Sequence, residues 1–435
     1  MTDAATDAVT EAATSTDTGM AALLNDPEVI RCPYPLYDMA RSTQPVMEVP
    51  GIGYIVTSYE DVLTVVTSPD TYSSAFGAGF ATTGLSLNPR PPSVDAILAR
   101  GVPEVPVLTQ IGGPTHRRHR RLVSQAFSAK RVKQMEGIVR TIADELIDRF
   151  ADRGTVELRA EYASALPMTV VAESLGVPRE DLAEFKRWSD GAHSLIGAEV
   201  PEERYVAIAE SFLDFQRYFS ARIAERRAHA CEDLLSDLVH AEEDDEHPLT
   251  EPELLNIIMQ ILIAGNETTA STLCAGMLAL ARRPDLADEL RADPTGIPAF
   301  VEELLRTESP IQGLPRVVLR DTELRGVHLP EGAMVIPLYG AANRDPDRFA
   351  EPADIDVRRE RITQHLAFSQ GIHHCLGSTL ARSELRVSIE RLLARLHDIQ
   401  LVSGHEPEHL PSLMVRGLKE LHLSFTPARA TTFDA

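Results

Sequence analysis

The run Phe368-Ser369-Gln370-Gly371-Ile372-His373-His374-Cys375-Leu376-Gly377 fits the pattern F-x-x-G-x-H-x-C-x-G. At background frequencies, a chance match of five fixed positions in a chain of this length is on the order of 1 in 10,000 or rarer. Glycines at 371 and 377 permit a tight turn close to a flat ligand. The residues that follow, Leu376 to His397, read as an amphipathic helix, which puts Cys375 at a helix N-terminus. Backbone N–H groups and the helix dipole there favour a thiolate. A thiolate in such a turn has the chemistry of a haem axial ligand, one that pushes electron density onto the iron. The other cysteines, Cys32, Cys231 and Cys274, read as small buried hydrophobes. The spacing of the four matches no zinc pattern.

A second chemical segment is Ala264-Gly265-Asn266-Glu267-Thr268-Thr269. It interrupts a helix whose first half, Leu254 to Ala264, is apolar on nearly every side and is therefore expected inside the protein. An acid, two threonines and a glycine are locally unfavourable there, and such conflicts mark functional sites. Gly265 is expected to make room for a ligand. Thr250-Glu251-Pro252-Glu253 is a capping box that starts the helix, and Arg282-Arg283 with Pro284 ends it. That gives about 32 residues, or roughly 48 Å.

The elements around these segments follow from periodicity and breakers. Val46–Val49, a Pro50-Gly51-Ile52-Gly53 turn and Tyr54–Thr57 read as a hairpin. Residues 73–110 are rich in Gly and Pro, permit one short helix near Val94–Ala99, and read as a lid or binding loop. Helices are expected from about 115 to 240, with breaks near Gly154, Gly176 and Gly197. Strands are expected at Val317–Leu319, Ala333–Leu338 and Leu418–Phe425. The fold class is mainly α with small β-sheets. Residues 1–20 read as a disordered tail, and 21–435 as a single catalytic domain. The net charge of −23 argues against non-specific nucleic-acid binding. No basic, apolar leader and no run of about 18 apolar residues occurs. Sparse cysteine fits a reducing compartment, so a cytoplasmic protein is expected.

The chain resembles the cytochrome P450 superfamily in its soluble bacterial form. The resemblance rests on the Cys375 segment, on Glu303-Leu304-Leu305-Arg306 (E-x-x-R) about 70 residues before it, and on Ala264-Gly265-x-Glu267-Thr268. It implies the P450 fold, a triangular prism whose long central helix crosses the haem. Bound haem b, O2 as co-substrate, and Cys375 as the metal ligand are implied as well. Glu303, Arg306 and Arg359 become a structural triad, although Ile355 stands where relatives usually have Phe. His116, Arg120, Arg316 and His373 would hold the haem propionates. Phe368, Gly371, Gly377, Ala264 and Gly265 would line the cofactor. Glu267 and Thr268 become the catalytic acid–alcohol pair that delivers protons to iron-bound oxygen. Arg117 and Arg118 read instead as a solvated basic face.

The resemblance places Phe76, Phe80, Leu85, Leu87, Leu195, Ile196, Ile263, Leu314 and Met414 around the substrate. Their apolar character implies a lipophilic molecule such as a terpenoid, steroid or fatty acid, hydroxylated or epoxidised. Arg90 and Arg100 are the basic residues near this set that could anchor a carboxylate. Seven cations and no acid occupy residues 117–133, a face suited to an acidic ferredoxin. No flavin or nicotinamide fingerprint occurs, so electrons are expected from a separate ferredoxin and ferredoxin reductase. A monomer without membrane anchor is expected. A peroxide-driven or rearranging enzyme would alter the acid–alcohol pair, which is intact. A non-catalytic haem or lipid binder would not need it.

Overall fold

Residues 26–75, 90–195, 200–243 and 246–428 are described by a computed structural model of the protein. The expected tail, the expected break at Gly197, and Phe76, Phe80, Leu85, Leu87 and Ile196 lie outside the described residues. Two compact units emerge. One comprises the chain up to Tyr72, Val139–Leu166 and everything from Thr268 onward; the other comprises Ser73–Ile138 and Pro167–Glu267. The division falls inside the long helix, between Glu267 and Thr268.

The first unit carries the sheets. Val46–Val49 and Gly53–Val56 form the expected hairpin, with Val46 opposite Val56. Gly53–Val56 continues in parallel onto Met334–Pro337, which pairs antiparallel with Arg316–Val318. Alternating Val and Tyr side chains from these strands bury against Val62, Val65 and Val66 of the Tyr59–Thr67 helix. A second sheet orders Thr155–Glu157, His422–Pro427 and Leu396–Leu401. Its last strand starts at His422 rather than at the expected Leu418, because residues 418–421 are drawn off to bond elsewhere, Lys419 N–H to the Glu408 carbonyl and Leu421 N–H to Glu157.

The helix after Cys375 runs from Ser378 to Arg395, shorter at both ends than expected. At its end, Leu396 and His397 are recruited into the sheet, opposite Pro427 and Thr426. Its buried positions include Ser383, Glu384 and Ser388 beside Leu385 and Leu392, so burial rather than a simple amphipathic stripe governs it.

The second unit is helical. Gly113–Ala126, Leu182–His193 and Glu202–Ala228 are its main helices besides the first half of the long one. Pro92–Leu98 is a short helix in the breaker-rich segment, close to the expected Val94–Ala99, and Leu108–Gln110 adds a 3₁₀ turn. Its aromatic core includes Trp188 edge-on to Phe215 at 5.7 Å and Phe215 against Phe219 at 4.8 Å. The long helix spans Glu251–Arg282, 32 residues as expected. Its capping box is made: Thr250 N–H donates to Glu253 at 2.8 Å. No disulfide joins the four cysteines. Cys274 is buried, Cys32 half-buried, but Cys231 is exposed, contrary to the expectation of a core residue. It follows the last turn of Glu202–Ala228, where the chain bends at the surface.

Candidate active site

The cysteine segment is a closed loop in the first unit. Cys375 N–H donates to the Phe368 carbonyl at 2.9 Å, and His374 N–H to the Gly371 carbonyl at 3.2 Å. Gly371 has φ +72, and a Cβ there would stand 2.9 Å from the Val66 carbonyl oxygen, so only glycine fits. Gly377 caps the helix that starts at Ser378, which leaves Cys375 two residues before the cap. The Cys375 side chain is exposed. Ser378 N–H reaches the Cys375 carbonyl at 3.4 Å, which ties the cysteine to the first turn.

Behind the loop, Phe368 is braced by residues that sequence reasoning missed. The Arg382 guanidinium lies 4.5 Å from the Phe368 ring centroid. Glu302 holds Arg382 at 2.6 Å and His365 at 3.1 Å. Burial alone would raise the Glu302 pKa, but hydrogen bonds from His365 and Arg382 bring it down to about 2. Glu302 adjoins the E-x-x-R motif by one residue, and no spacing signal distinguishes it from a surface acid.

Glu303 and Arg306 are wholly buried, joined at 2.6 Å. Arg359 adds a second guanidinium to Glu303 at 3.1 Å. Arg306 also donates to the carbonyls of Asn343, Pro352 and Asp354. This cluster pins the 343–359 segment to the Ile297–Glu308 helix.

Several features of the first unit fit a haem. Arg316 is 4 % exposed and has no carboxylate partner among the described residues. Its guanidinium donates only to backbone carbonyls, Pro315 at 2.8 Å and Leu314 at 3.4 Å. A buried cation with no acid suits a propionate. No protein atom lies within 4 Å of a Cβ built on Gly377, and its φ is an ordinary −81°. Protein packing therefore does not demand glycine there, whereas a flat group against the loop would. His373 is half-buried within the turn Gly371–His373. Leu314 and Met414 sit on neighbouring segments, for Gln312 N–H donates to the Met414 carbonyl at 2.8 Å.

In the second unit, His116 is buried on the Gly113–Ala126 helix, with Arg120 one turn on. Burial, then the charges of Arg120, His119 and Arg117, lower the His116 pKa to about 4. Its imidazole is therefore neutral near pH 7. Arg118 corrects an expectation: it is 5 % exposed rather than solvated. It grips Glu253 at 2.8 Å and donates to the carbonyls of His247 and Pro248. Its spacing of four from buried Leu122 was the available signal. Glu253 also binds His119 at 2.8 Å. Despite burial, these bonds with Arg118 and His119 hold its carboxyl well below the usual carboxylate range. Arg117 is exposed.

Ala264 is exposed on the long helix, with Ile263, Gly265 and Glu267 half-buried in this unit and Thr268 half-buried in the other. A Cβ built on Gly265 would make an ordinary 3.4 Å contact with Val171. Packing within this unit therefore does not demand glycine there. Asn266 is 6 % exposed, and its amide nitrogen donates to Ser189 Oγ at 2.8 Å. Thr268 keeps its place in the helix, its carbonyl accepting the Thr272 hydroxyl at 2.8 Å. Thr269 turns to a residue not anticipated, donating to Glu384 at 3.3 Å. Burial raises the Glu384 pKa to about 8.

An apolar cleft, open to solvent, lies within the second unit. Val94, Leu98, Trp188, Leu195, Tyr205, Phe212 and Met259 line it, and Arg90 stands at its edge. Leu195 was expected there; Ile263 is not among its walls. Arg90 and Arg100 cannot readily anchor a carboxylate, because Arg90 is paired with Asp95 and Glu104, and Arg100 with Glu210. The basic island is likewise partly neutralised. Arg121 pairs with Glu243 and Glu246, and Arg131 with Asp237 at 2.7 Å. Arg117, Lys130 and Lys133 are exposed and enter no ion pair among the described residues.

Comparison with known proteins accounts for this combination. Residues 176–295 and 297–422 match the family described as cytochrome P450. A steroid C26-monooxygenase of Mycobacterium tuberculosis is 35% identical over 393 residues, 90% of this chain and 93% of that protein. The structure of CYP109Q5 from Chondromyces apiculatus superposes with a TM-score of 0.83 at 37% identity, covering 94% of this chain and 98% of that one. CYP109E1 of Bacillus megaterium in complex with testosterone gives a TM-score of 0.79 at 29% identity, covering 90% and 99%. The chain, with its P450 fold and its cysteine loop, belongs to the cytochrome P450 family and is a haem b- and O2-dependent monooxygenase.

Proposed function

We propose that this monooxygenase hydroxylates a lipophilic substrate of the steroid class, with electrons from a separate ferredoxin and ferredoxin reductase. The observation that carries the substrate class is the apolar, aromatic-walled cleft of Trp188, Leu195, Tyr205 and Phe212, whose rim arginine is already neutralised. Such a wall rewards apolar area and offers no counter-charge to a fatty acid carboxylate. The steroid named for the mycobacterial relative and the testosterone bound by CYP109E1 favour the same class.

When bound, haem supplies the iron at which O2 is activated. Cys375 would ligate that iron, its thiolate favoured by the adjoining helix N-terminus. Phe368 and Gly371 hold the loop in shape around it. Arg316, His116, Arg120 and His373 would bind the propionates. Glu267 and Thr268 would move protons, the carboxylate exchanging them with solvent and the hydroxyl relaying them toward the reacting centre. Arg117, Lys130 and Lys133 would steer an acidic ferredoxin. The low cysteine content supports a reducing, cytoplasmic setting. Among the described residues, no helix is long and apolar enough to cross a membrane.

The test is a titration of the haem protein with a panel of steroids, terpenoids and fatty acids, read as a low- to high-spin Soret shift. Steroids should give the largest shift at the lowest concentration. A panel in which only fatty acids shift the band would overturn the steroid assignment. Charge reversal of Arg117, Lys130 and Lys133 should slow reduction by ferredoxin and flatten its salt dependence; an unchanged rate would remove this face as the docking site.

A further inference from the structure

We propose that His405, Glu420 and His422 form a surface site for a late first-row divalent cation such as zinc, and that the ion clips the base of the loop spanning 403–421. The backbone brings the three together. His405 N–H donates to the Val402 carbonyl at 3.2 Å, closing a turn whose third residue, Gly404, has φ +84. That is the position where a type II turn calls for glycine. Val402 N–H in turn donates to the His422 carbonyl at 3.1 Å, which fastens the turn to the first residue of the strand His422–Pro427.

The side chains converge. The two imidazole centroids are 4.3 Å apart, with planes inclined by 37°. Glu420 Oε2 is 3.2 Å from His422 Nε2. One ligand atom from each residue lies within 4.8 Å of the other two. Donors sharing a tetrahedral zinc at about 2.0–2.1 Å stand roughly 3.3 Å apart, so a small rotation of each side chain suffices. His405 and Glu420 are exposed and His422 half-buried, so little packing opposes that rotation. Two imidazoles and one carboxylate suit zinc, nickel or copper(II) rather than magnesium or calcium. The neighbouring cation Lys419 is held by Glu408 at 2.8 Å. Without a metal, the contacts amount to one surface His422–Glu420 pair with a second ring beside it.

The position gives the site a consequence. The loop it closes carries Met414, whose carbonyl accepts Gln312 N–H at 2.8 Å, and Arg416, whose N–H reaches the Pro310 carbonyl at 2.9 Å. An ion joining His405 to Glu420 and His422 ties the two ends of that loop and suppresses its local opening.

The experiment uses the haem-loaded full chain, stripped with chelator and titrated with zinc chloride in a calorimeter. One zinc per chain should bind with a micromolar dissociation constant. His405→Ala and His422→Ala should each weaken it tenfold or more, and Glu420→Gln less. His328→Ala, on the hairpin of Thr322–Leu324 and Val327–Leu329, should leave it unchanged. Zinc should also slow hydrogen exchange across 403–421 in the wild type. The Soret spectrum of each variant reports that the protein remains folded. Absence of stoichiometric binding, or binding that survives His405→Ala and His422→Ala, overturns the site; binding with unchanged exchange across 403–421 overturns the clip.

Discussion

The N–H of Cys375 points at the carbonyl oxygen of Phe368, 2.9 Å away, so the loop that presents Cys375 is closed by its own backbone. The closure depends on Gly371, which turns at φ +72 against the Val66 carbonyl. Gly371→Ala should cost about 1–3 kcal/mol. Urea denaturation of the haem protein measures it. A variant as stable as the wild type would show that the loop tolerates another turn.

Cys375→Ser replaces a soft thiolate with a neutral hydroxyl. The red-shifted Soret band of the reduced carbon monoxide complex should vanish and haem be held more weakly. Persistence of that band would exclude Cys375 as the ligand.

Glu303 serves two guanidiniums, those of Arg306 and Arg359. Glu303→Gln leaves both without their counter-charge in the interior, at a cost of about 3–5 kcal/mol. The yield of folded haem protein and its thermal midpoint should fall sharply. A loss within experimental error of zero would mean the backbone carbonyls around Arg306 suffice.

Glu384 predicts a pH dependence. Its folded pKa, about 8, lies above the ordinary carboxylate value of 4.5 because burial penalises the anion. The folded state therefore holds the proton more tightly than the unfolded chain. Its contribution to stability is full below pH 4.5 and is lost as pH rises toward 8, with a slope of up to ~1.4 kcal/mol per pH unit. Glu384→Gln should remove that slope. Parallel stability–pH curves for wild type and variant would contradict it.

Thr268→Ala deletes a hydroxyl without lowering helix propensity. Haem binding and substrate affinity should persist, while product formed per NADH falls and hydrogen peroxide rises. Glu267→Gln should instead slow turnover. A fully coupled Thr268→Ala enzyme, tried with more than one substrate, would make this threonine structural.

The features legible in the sequence are those with a short chemical grammar. The Cys375 loop, the long helix with its Thr250–Glu253 cap and the Val46–Val56 hairpin depend on residues close together in the chain. Local hydrogen bonding and period therefore specify them. Burial of a charged side chain has no such local rule. Arg118 and Arg117 are adjacent arginines on one helix, yet the first is enclosed by Glu253, His247 and Pro248, and the second faces solvent. Glu302, Glu384 and Arg382 are likewise ordinary helix formers whose roles arise from partners far away in sequence. The sequence by itself determined the cysteine turn and the long helix with its cap, because their residues are close together in the chain. Only the tertiary structure decided which charges are buried, paired or left open, because desolvation depends on the neighbours that folding supplies.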